Sequence, residues 1–185
     1  MASNAKSPLV IIPTLNERAN LEKLLPSLLE LVLPTTSTSA GSRQVDILIV
    51  DDGSTDGTEL FLADLKSTRV NLLSRGRKLG IGSAIRDGLM WAYDHGYGEV
   101  VTMDGDGTHR PQSVIDLLDE QHKAAILIGT RYTDAEDKRS QGRIWLSSIA
   151  QSLRGLLLNL RVDASNNLRR YRLNEVPRSL FKVAA

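Results

Sequence analysis

Val45-Asp-Ile-Leu-Ile-Val50 runs straight into Asp51-Asp-Gly-Ser-Thr-Asp-Gly57, and the reading of that junction decides the fold. A short apolar run bounded by an acidic, glycine-rich turn reads as a buried strand. A helical stretch, Gly57–Leu65, follows at once. A strand that hands over to a helix across a polar turn is the repeating unit of a parallel sheet. The same handover recurs on both sides. Leu9-Val-Ile-Ile-Pro13 reads as a first strand, and Leu21, Leu24, Leu25, Leu28 and Leu29 follow it at helix spacing. Val70–Leu73 reads as a third strand, followed by a helix from Gly80 to His95. Val100–Met103 reads as a fourth, with Pro111 at the first-turn position of a helix that runs to Gln121. Ala124–Gly129 reads as a fifth, and Pro34–Ser42 as a flexible loop by composition. The expected architecture is α/β: a mostly parallel, Rossmann-like sheet with helices on both faces, in a single domain over residues 1–185.

Composition narrows the function classes. The 185 residues suffice for one domain with a sizeable core and are short for two. With 41% apolar and 24% charged residues the chain has the balance of a folded globular protein. It has no cysteine, which excludes disulfides, thiolate metal sites and a cysteine nucleophile. Its three histidines, His95, His109 and His122, are too few for a histidine-built metal centre, so any metal is expected on carboxylates. Aromatics at 4% are too sparse for a stacking platform, so no nucleic-acid partner is expected. No apolar run approaches the ~20 residues that span a bilayer, and Leu9–Ile12 is too short for a signal-peptide core. The expected location is cytoplasmic.

Charge is unevenly spread. Residues 1–130 carry 12 Lys and Arg against 17 Asp and Glu, and residues 131–185 carry 11 against 5. The acidic part could hold a cation, and the basic part could meet phosphates or an anionic membrane surface. Chance surface composition would give the same imbalance.

In parallel sheets ligands bind at the carboxyl ends of the strands. Four polar clusters sit there: Pro13-Thr-Leu-Asn-Glu17, Asp51–Gly57, Asp104-Gly-Asp-Gly-Thr-His109 and Gly129-Thr-Arg-Tyr132. Asp104 and Asp106, two residues apart in an extended segment, point the same way. Such a pair of hard oxygen ligands suits Mg²⁺ or Mn²⁺ on substrate phosphates. Gly105 and Gly107 allow a ligand to come close, although a plain Asp/Gly turn has the same composition. Asp51 and Asp52 are like charges in need of a partner, which a base edge, a ribose hydroxyl or a cation would supply. Asp56 reads as a helix cap. Arg75-Gly-Arg-Lys-Leu-Gly-Ile-Gly-Ser83 has neither dinucleotide-fingerprint nor P-loop spacing, but its cations could face a diphosphate. Arg131, Arg143 and Arg169 could hold phosphates bidentately. Arg131 is the best placed, directly after a strand. In segment 144–161, Trp145, Leu146, Ile149, Ala150, Leu153, Leu156, Leu157 and Leu160 share one helical face. It reads equally as a helix packed on the sheet and as an interfacial helix that meets lipid.

The ordered set of motifs resembles the GT-A fold glycosyltransferases of family 2, and within them the dolichol-phosphate mannose synthase group. The matching stretches are Ile12–Glu17, Val50–Thr58, Lys78–Ala84, Met103–His109 with Pro111, Ile128–Tyr132 and Val162–Tyr171. The resemblance implies that Pro13, Leu15, Asn16, Glu17, Asp51, Asp52, Lys78 and Gly82 line the nucleotide-sugar pocket together with Asp104, Gly105, Asp106 and Arg131. It implies that Asp104 and Asp106 hold the metal, and that Arg131, Arg143 and Arg169 act on donor and acceptor phosphates. It implies that segment 144–161 lies near a lipid acceptor. Gly105-Asp-Gly-Thr108 stands where the family has Ala-Asp-Leu-Ser or Ala-Asp-Leu-Gln, with Thr108 as an extra candidate ligand. Asn166-Asn-Leu-Arg169 stands where the family has Ser-Gly-Phe-Arg, and Asn can replace Gly at positive φ. The family continues past the point where this sequence stops, so a minimal or truncated member is expected.

The implied activity is inverting transfer of a hexose, mannose from GDP-mannose first, to a polyprenyl (dolichol-type) phosphate. It would be helped by Mg²⁺ or Mn²⁺ and carried out in peripheral contact with the cytoplasmic face of a membrane. A UDP-glucose-dependent relative with another acceptor and a non-catalytic sugar-nucleotide-binding relic are the alternatives.

Overall fold

A computed structural model describes residues 6–33, 44–120, 124–129 and 167–181. Six strands form one sheet: β1 (Leu9–Thr14), β2 (Asp46–Asp51), β3 (Val70–Ser74), β4 (Glu99–Thr102), β5 (Ile126–Ile128) and β6 (Arg169–Arg172), in the order β3-β2-β1-β4-β6-β5. β1 pairs in parallel with both β2 and β4, and β2 with β3. The helices are α1 (Arg18–Leu29), α2 (Thr58–Asp64), α3 (Ile81–Asp94) and α4 (Gln112–Asp119).

The unbroken apolar runs of β1 and β2 follow from burial on both faces. Val10, Ile12, Ile47 and Ile49 point into a core shared with Leu21, Leu24, Leu25, Leu28, Leu62 and Val114, contributed by α1, α2 and α4. Their neighbours Leu9, Ile11, Leu48 and Val50 point the other way, against Ala84, Ile85, Leu89 and Ala92 of α3. Alternate residues of a strand face opposite sides of the sheet, so a strand covered on both sides is apolar at every position. Gly88 lets α3 come close to the sheet: a Cβ there would lie 2.8 Å from Ile11 Cγ2 and 3.1 Å from Val50 Cγ2.

The far edge of the sheet departs from expectation. Residues 124–129 do not extend the parallel series beside β4. β6 separates β5 from β4 and runs antiparallel to both. Arg169-Arg-Tyr-Arg172 looks like a solvated basic patch, yet it pairs as a strand in which Arg170 is wholly buried. The Arg170 guanidinium donates to the carbonyls of Leu117 (2.9 Å) and Glu120 (2.6 Å) at the end of α4. A cation on the open carbonyls of a helix C-terminus is favourable. Burial, and secondarily the neighbouring charge of Arg172, pull the Arg170 pKa below its ordinary value. The chain after β6 docks on α3, where the Tyr93 hydroxyl donates to the carbonyl of Leu173 at 3.2 Å and its ring meets Phe181. Segment 144–161, with the amphipathic pattern of Trp145–Leu160, lies outside the described residues. No described helix is long and apolar enough to cross a membrane.

Candidate active site

Strand order reverses between β1 and β4. The chain after β1 goes to β2 on one side, while β4 continues the sheet on the other. At such a switch point the loops leave in opposite directions and open a crevice at the carboxyl ends of the strands. A cavity of about 380 Å³ lies there, lined by Pro13, Thr14, Leu15 and Glu17 after β1 and by Asp104, Gly105 and Asp106 after β4. Asp52 and the segment Lys78, Gly80, Ile81 and Ala84 complete its wall.

Asp51 and Asp52 find their partners within the chain, which corrects the expectation that both need an external one. Asp51 is fully buried and closes its own turn. It accepts hydrogen bonds from the backbone N–H of Gly53 (3.1 Å) and Ser54 (2.8 Å) and from the Ser54 hydroxyl. It does not line the cavity. Asp52 faces the cavity and anchors the glycine-rich segment. One oxygen pairs with Arg75, and the other accepts from the backbone N–H of Leu79 (3.1 Å) and Gly80 (2.8 Å). Arg75 also donates to Ser83 Oγ at 2.6 Å, and its Nε lies 3.1 Å from Asp87 Oδ2. Of the three cations in Arg75–Ser83, Arg75 is thus a buried clamp, and Lys78 is the one that lines the cavity.

Asn16 supports the wall from behind and is not part of the lining. Its φ is 56°. Its backbone N–H donates to Ser54 Oγ and its Oδ1 accepts from Thr55 N–H, each at 2.8 Å, which joins the loops after β1 and β2. Asp56 adds a second tie: it accepts from the backbone N–H of Arg18 (2.9 Å) and Thr58 (3.1 Å), at the starts of α1 and α2. Gly82 sits in the first turn of α3, exposed and outside the cavity lining.

Asp104 is held by Asn167 and lies beside His109. Asn167 Nδ2 donates to its Oδ1 at 2.8 Å, and His109 Nε2 lies 3.7 Å from its Oδ2. Asp106 is exposed and accepts from the backbone N–H (3.0 Å) and hydroxyl (2.7 Å) of Thr108. Thr108 is thereby engaged as a donor to Asp106. Among the described residues no group of three or more His, Asp or Glu could cage a metal alone. An aspartate pair that leaves positions open for phosphate oxygens and water is how small hard cations sit on nucleotides. The buried His109 Nε2, with no hydrogen-bond partner among the described residues, faces the same carboxylate. The donor set fits a divalent cation shared with a substrate diphosphate.

Arg169 opens β6, in register with Thr102 at the end of β4 and with Ile128 of β5, so it stands at the carboxyl edge of β4. Arg131 and Arg143 lie outside the described residues. Thr14, Arg75, Gly80, Ile81, Ala84, His109 and Asn167 fall inside the polar clusters, the glycine-rich stretch and the matching stretches, but the sequence alone does not single them out as site residues. For Gly80 and Ile81 the loop-to-helix junction beside Lys78 carried a usable signal. Asn167 lies in the matching stretch Val162–Tyr171, but its partner Asp104, 63 positions away, cannot be read from it.

Residues 9–174 match the sequence profile of glycosyl transferase family 2. The chain belongs to that family. This family 2 chain is 39% identical over 173 residues to a polyprenol monophosphomannose synthase of Mycolicibacterium smegmatis, covering 89% of this chain and 61% of the relative. It is 36% identical over 126 residues to an undecaprenyl-phosphate mannosyltransferase of Micrococcus luteus, covering 66% and 47%. The chain therefore spans less than two thirds of the length of either relative. A mannosyltransferase from Pyrobaculum calidifontis, solved with GDP-Man and Mn²⁺, superposes with a TM-score of 0.57 at 17% identity, over 93% of this chain and 46% of that one. That likeness extends the GT-A fold to the family 2 chain.

Proposed function

We propose that this chain transfers mannose from GDP-mannose to a polyprenyl phosphate, with inversion and with a divalent metal, Mg²⁺ or Mn²⁺. The observation that carries the reading is the Asp104–Asp106 pair at the mouth of β4, facing one cavity with Pro13, Leu15, Glu17, Asp52 and Lys78. The mannosyltransferases named above support the choice of sugar and acceptor.

In this reading the loop after β1, with Asp52 and the Lys78–Ala84 segment, forms the nucleoside wall, and Lys78 faces the diphosphate. Asp104 and Asp106 would hold the metal, which would supply charge neutralisation for the departing nucleoside diphosphate. The acceptor phosphate is already an anion and attacks the anomeric carbon without a strong general base. Arg169, with Arg131 and Arg143, orients it and offsets its repulsion from the donor. One displacement inverts the anomeric centre. The basic stretch 131–185 and segment 144–161 provide peripheral contact with an anionic membrane.

The test is transfer of radiolabelled mannose to polyprenyl phosphate, with a thermal-shift screen of GDP against UDP, each with and without Mn²⁺. Mn²⁺-dependent stabilisation by GDP and labelled lipid are the expected results. Asp106→Asn should abolish both while the protein stays folded. Preference for UDP, or unchanged Mn²⁺-dependent affinity in Asp106→Asn, would overturn the reading.

A further inference from the structure

We infer that Asn167 is a positioning residue that fixes Asp104 in the orientation that receives the metal. The inference rests on the function proposed above and assigns a role to a side chain outside the cavity lining. An ionised carboxylate only accepts hydrogen bonds. The 2.8 Å contact therefore identifies the Asn167 atom as its amide nitrogen, donating to Asp104 Oδ1.

That bond does two things. The terminal torsion of an aspartate is broad, so the carboxylate plane of an unheld Asp104 would sample a wide range of angles to the cavity. A donor on Oδ1 fixes that plane, with the second oxygen 3.7 Å from His109 Nε2. The amide is also neutral, so it orients the carboxylate without adding a positive charge that would compete with a cation.

The donor is itself held. The Thr102 hydroxyl, fully buried at the end of β4, donates to the Asn167 carbonyl oxygen at 2.6 Å. Thr102 lies two residues before Asp104, so Asn167 is fastened at its backbone to the strand that delivers the carboxylate and at its side chain to the carboxylate. Partners that orient a metal ligand in this way are worth 10- to 100-fold in metal affinity when removed. β6 begins two residues further on, with Arg169 paired to Thr102, so the fastening also joins the donor-metal and acceptor ends of the site.

The experiment uses the full chain and measures Mn²⁺ binding in the presence of GDP by electron paramagnetic resonance, alongside GDP binding in EDTA. Asn167→Ala should raise the Mn²⁺ dissociation constant about 10- to 100-fold and leave metal-free GDP affinity unchanged. Asn167→Ser, whose side chain is too short to reach Oδ1, should behave alike and secures a folded variant if alanine is not tolerated. Wild-type Mn²⁺ affinity in either folded variant overturns the inference. So does a parallel loss of metal-free GDP binding, or failure of both variants to fold, since each would make Asn167 a general support of the loop. If the wild-type chain itself takes up no Mn²⁺ with GDP, the metal-dependent reading falls and the inference falls with it. Wild-type uptake combined with indifferent variants overturns the inference alone.

Discussion

Arg75→Met should destabilise the chain by about 3–5 kcal/mol and loosen the cavity wall that Asp52 anchors. The Arg75 side chain is 4% exposed and that of Asp52 7%. With the guanidinium gone, Asp52 keeps only the N–H groups of Leu79 and Gly80 to offset its lost hydration. Removing one partner of a buried ion pair strands the other charge, and that is the source of the cost. The Arg75–Asp87 contact adds little, because Asp87 is 31% exposed and a solvated pair contributes roughly 1 kcal/mol or less. For a chain of this size, about 2–4 °C of melting temperature accompanies each kcal/mol, so the fall should be on the order of 6–20 °C. Thermal and urea unfolding measure it, and a GDP titration reads the damage to the wall. The double variant Arg75→Met with Asp52→Leu leaves no stranded charge and should recover a large part of the loss. The coupling between the two sites should then be about 2 kcal/mol or more. If the single changes add to within ~0.5 kcal/mol, or if Arg75→Met alone costs under ~1 kcal/mol, the pair is a solvated contact and the clamp argument fails.

Other outcomes are expected elsewhere in the chain. Burial alone would raise the Asp56 carboxyl, but the Thr58 hydroxyl and the N–H groups of Arg18 and Thr58 hold it below the ordinary 3.8. Its contribution is therefore present above that value and lost as pH falls through the folded-state value. Asp56→Asn should melt earlier than wild type at pH 7, and the two melting curves should converge in acid. Gly88→Ala puts a methyl 2.8 Å from Ile11 Cγ2 and should cost about 1–3 kcal/mol by overpacking; Ile11→Val in the same chain should return part of it. If Arg131 and Arg169 hold phosphates as proposed, Arg131→Lys and Arg169→Lys would each lose a bidentate contact worth roughly 1.5–3 kcal/mol, and transfer should slow on the order of 10- to 150-fold with folding intact. Full transfer in Arg169→Lys beside a crippled Arg131→Lys would assign Arg169 to the sheet and not to the acceptor.

The parallel half of the sheet could be read from residues because its causes are local. Leu9–Ile12 and Ile47–Val50 are apolar throughout since both faces are covered, and a turn-rich acidic stretch follows each at the edge where a switch point opens. Asp104 and Asp106 stood out for the same reason: the spacing of two carboxylates past a strand is a property of five consecutive residues. β6 could not be read this way. Arg170 is tolerated inside the sheet only because α4 ends over it and offers two carbonyls, and no window around Arg170 contains α4. The same holds for Asp51 and Asp52. Their adjacency invites an external partner, but Asp51 is answered by the backbone N–H groups of its own turn and the Ser54 hydroxyl, and Asp52 by Arg75 and two N–H groups 27 and 28 positions downstream. The charges whose structural partners the sequence hid are thus Asp51 and Arg170, answered by a local turn and by a distant helix end, while Asp52 keeps its place on the cavity wall. Asp106, whose partners among the described residues both belong to the exposed Thr108 two residues away, combines an acidic side chain, a place on the cavity wall and no long-range structural task among those residues. That combination, more than the aspartate pair by itself, is what makes Asp106 the position where loss of function without loss of fold is expected.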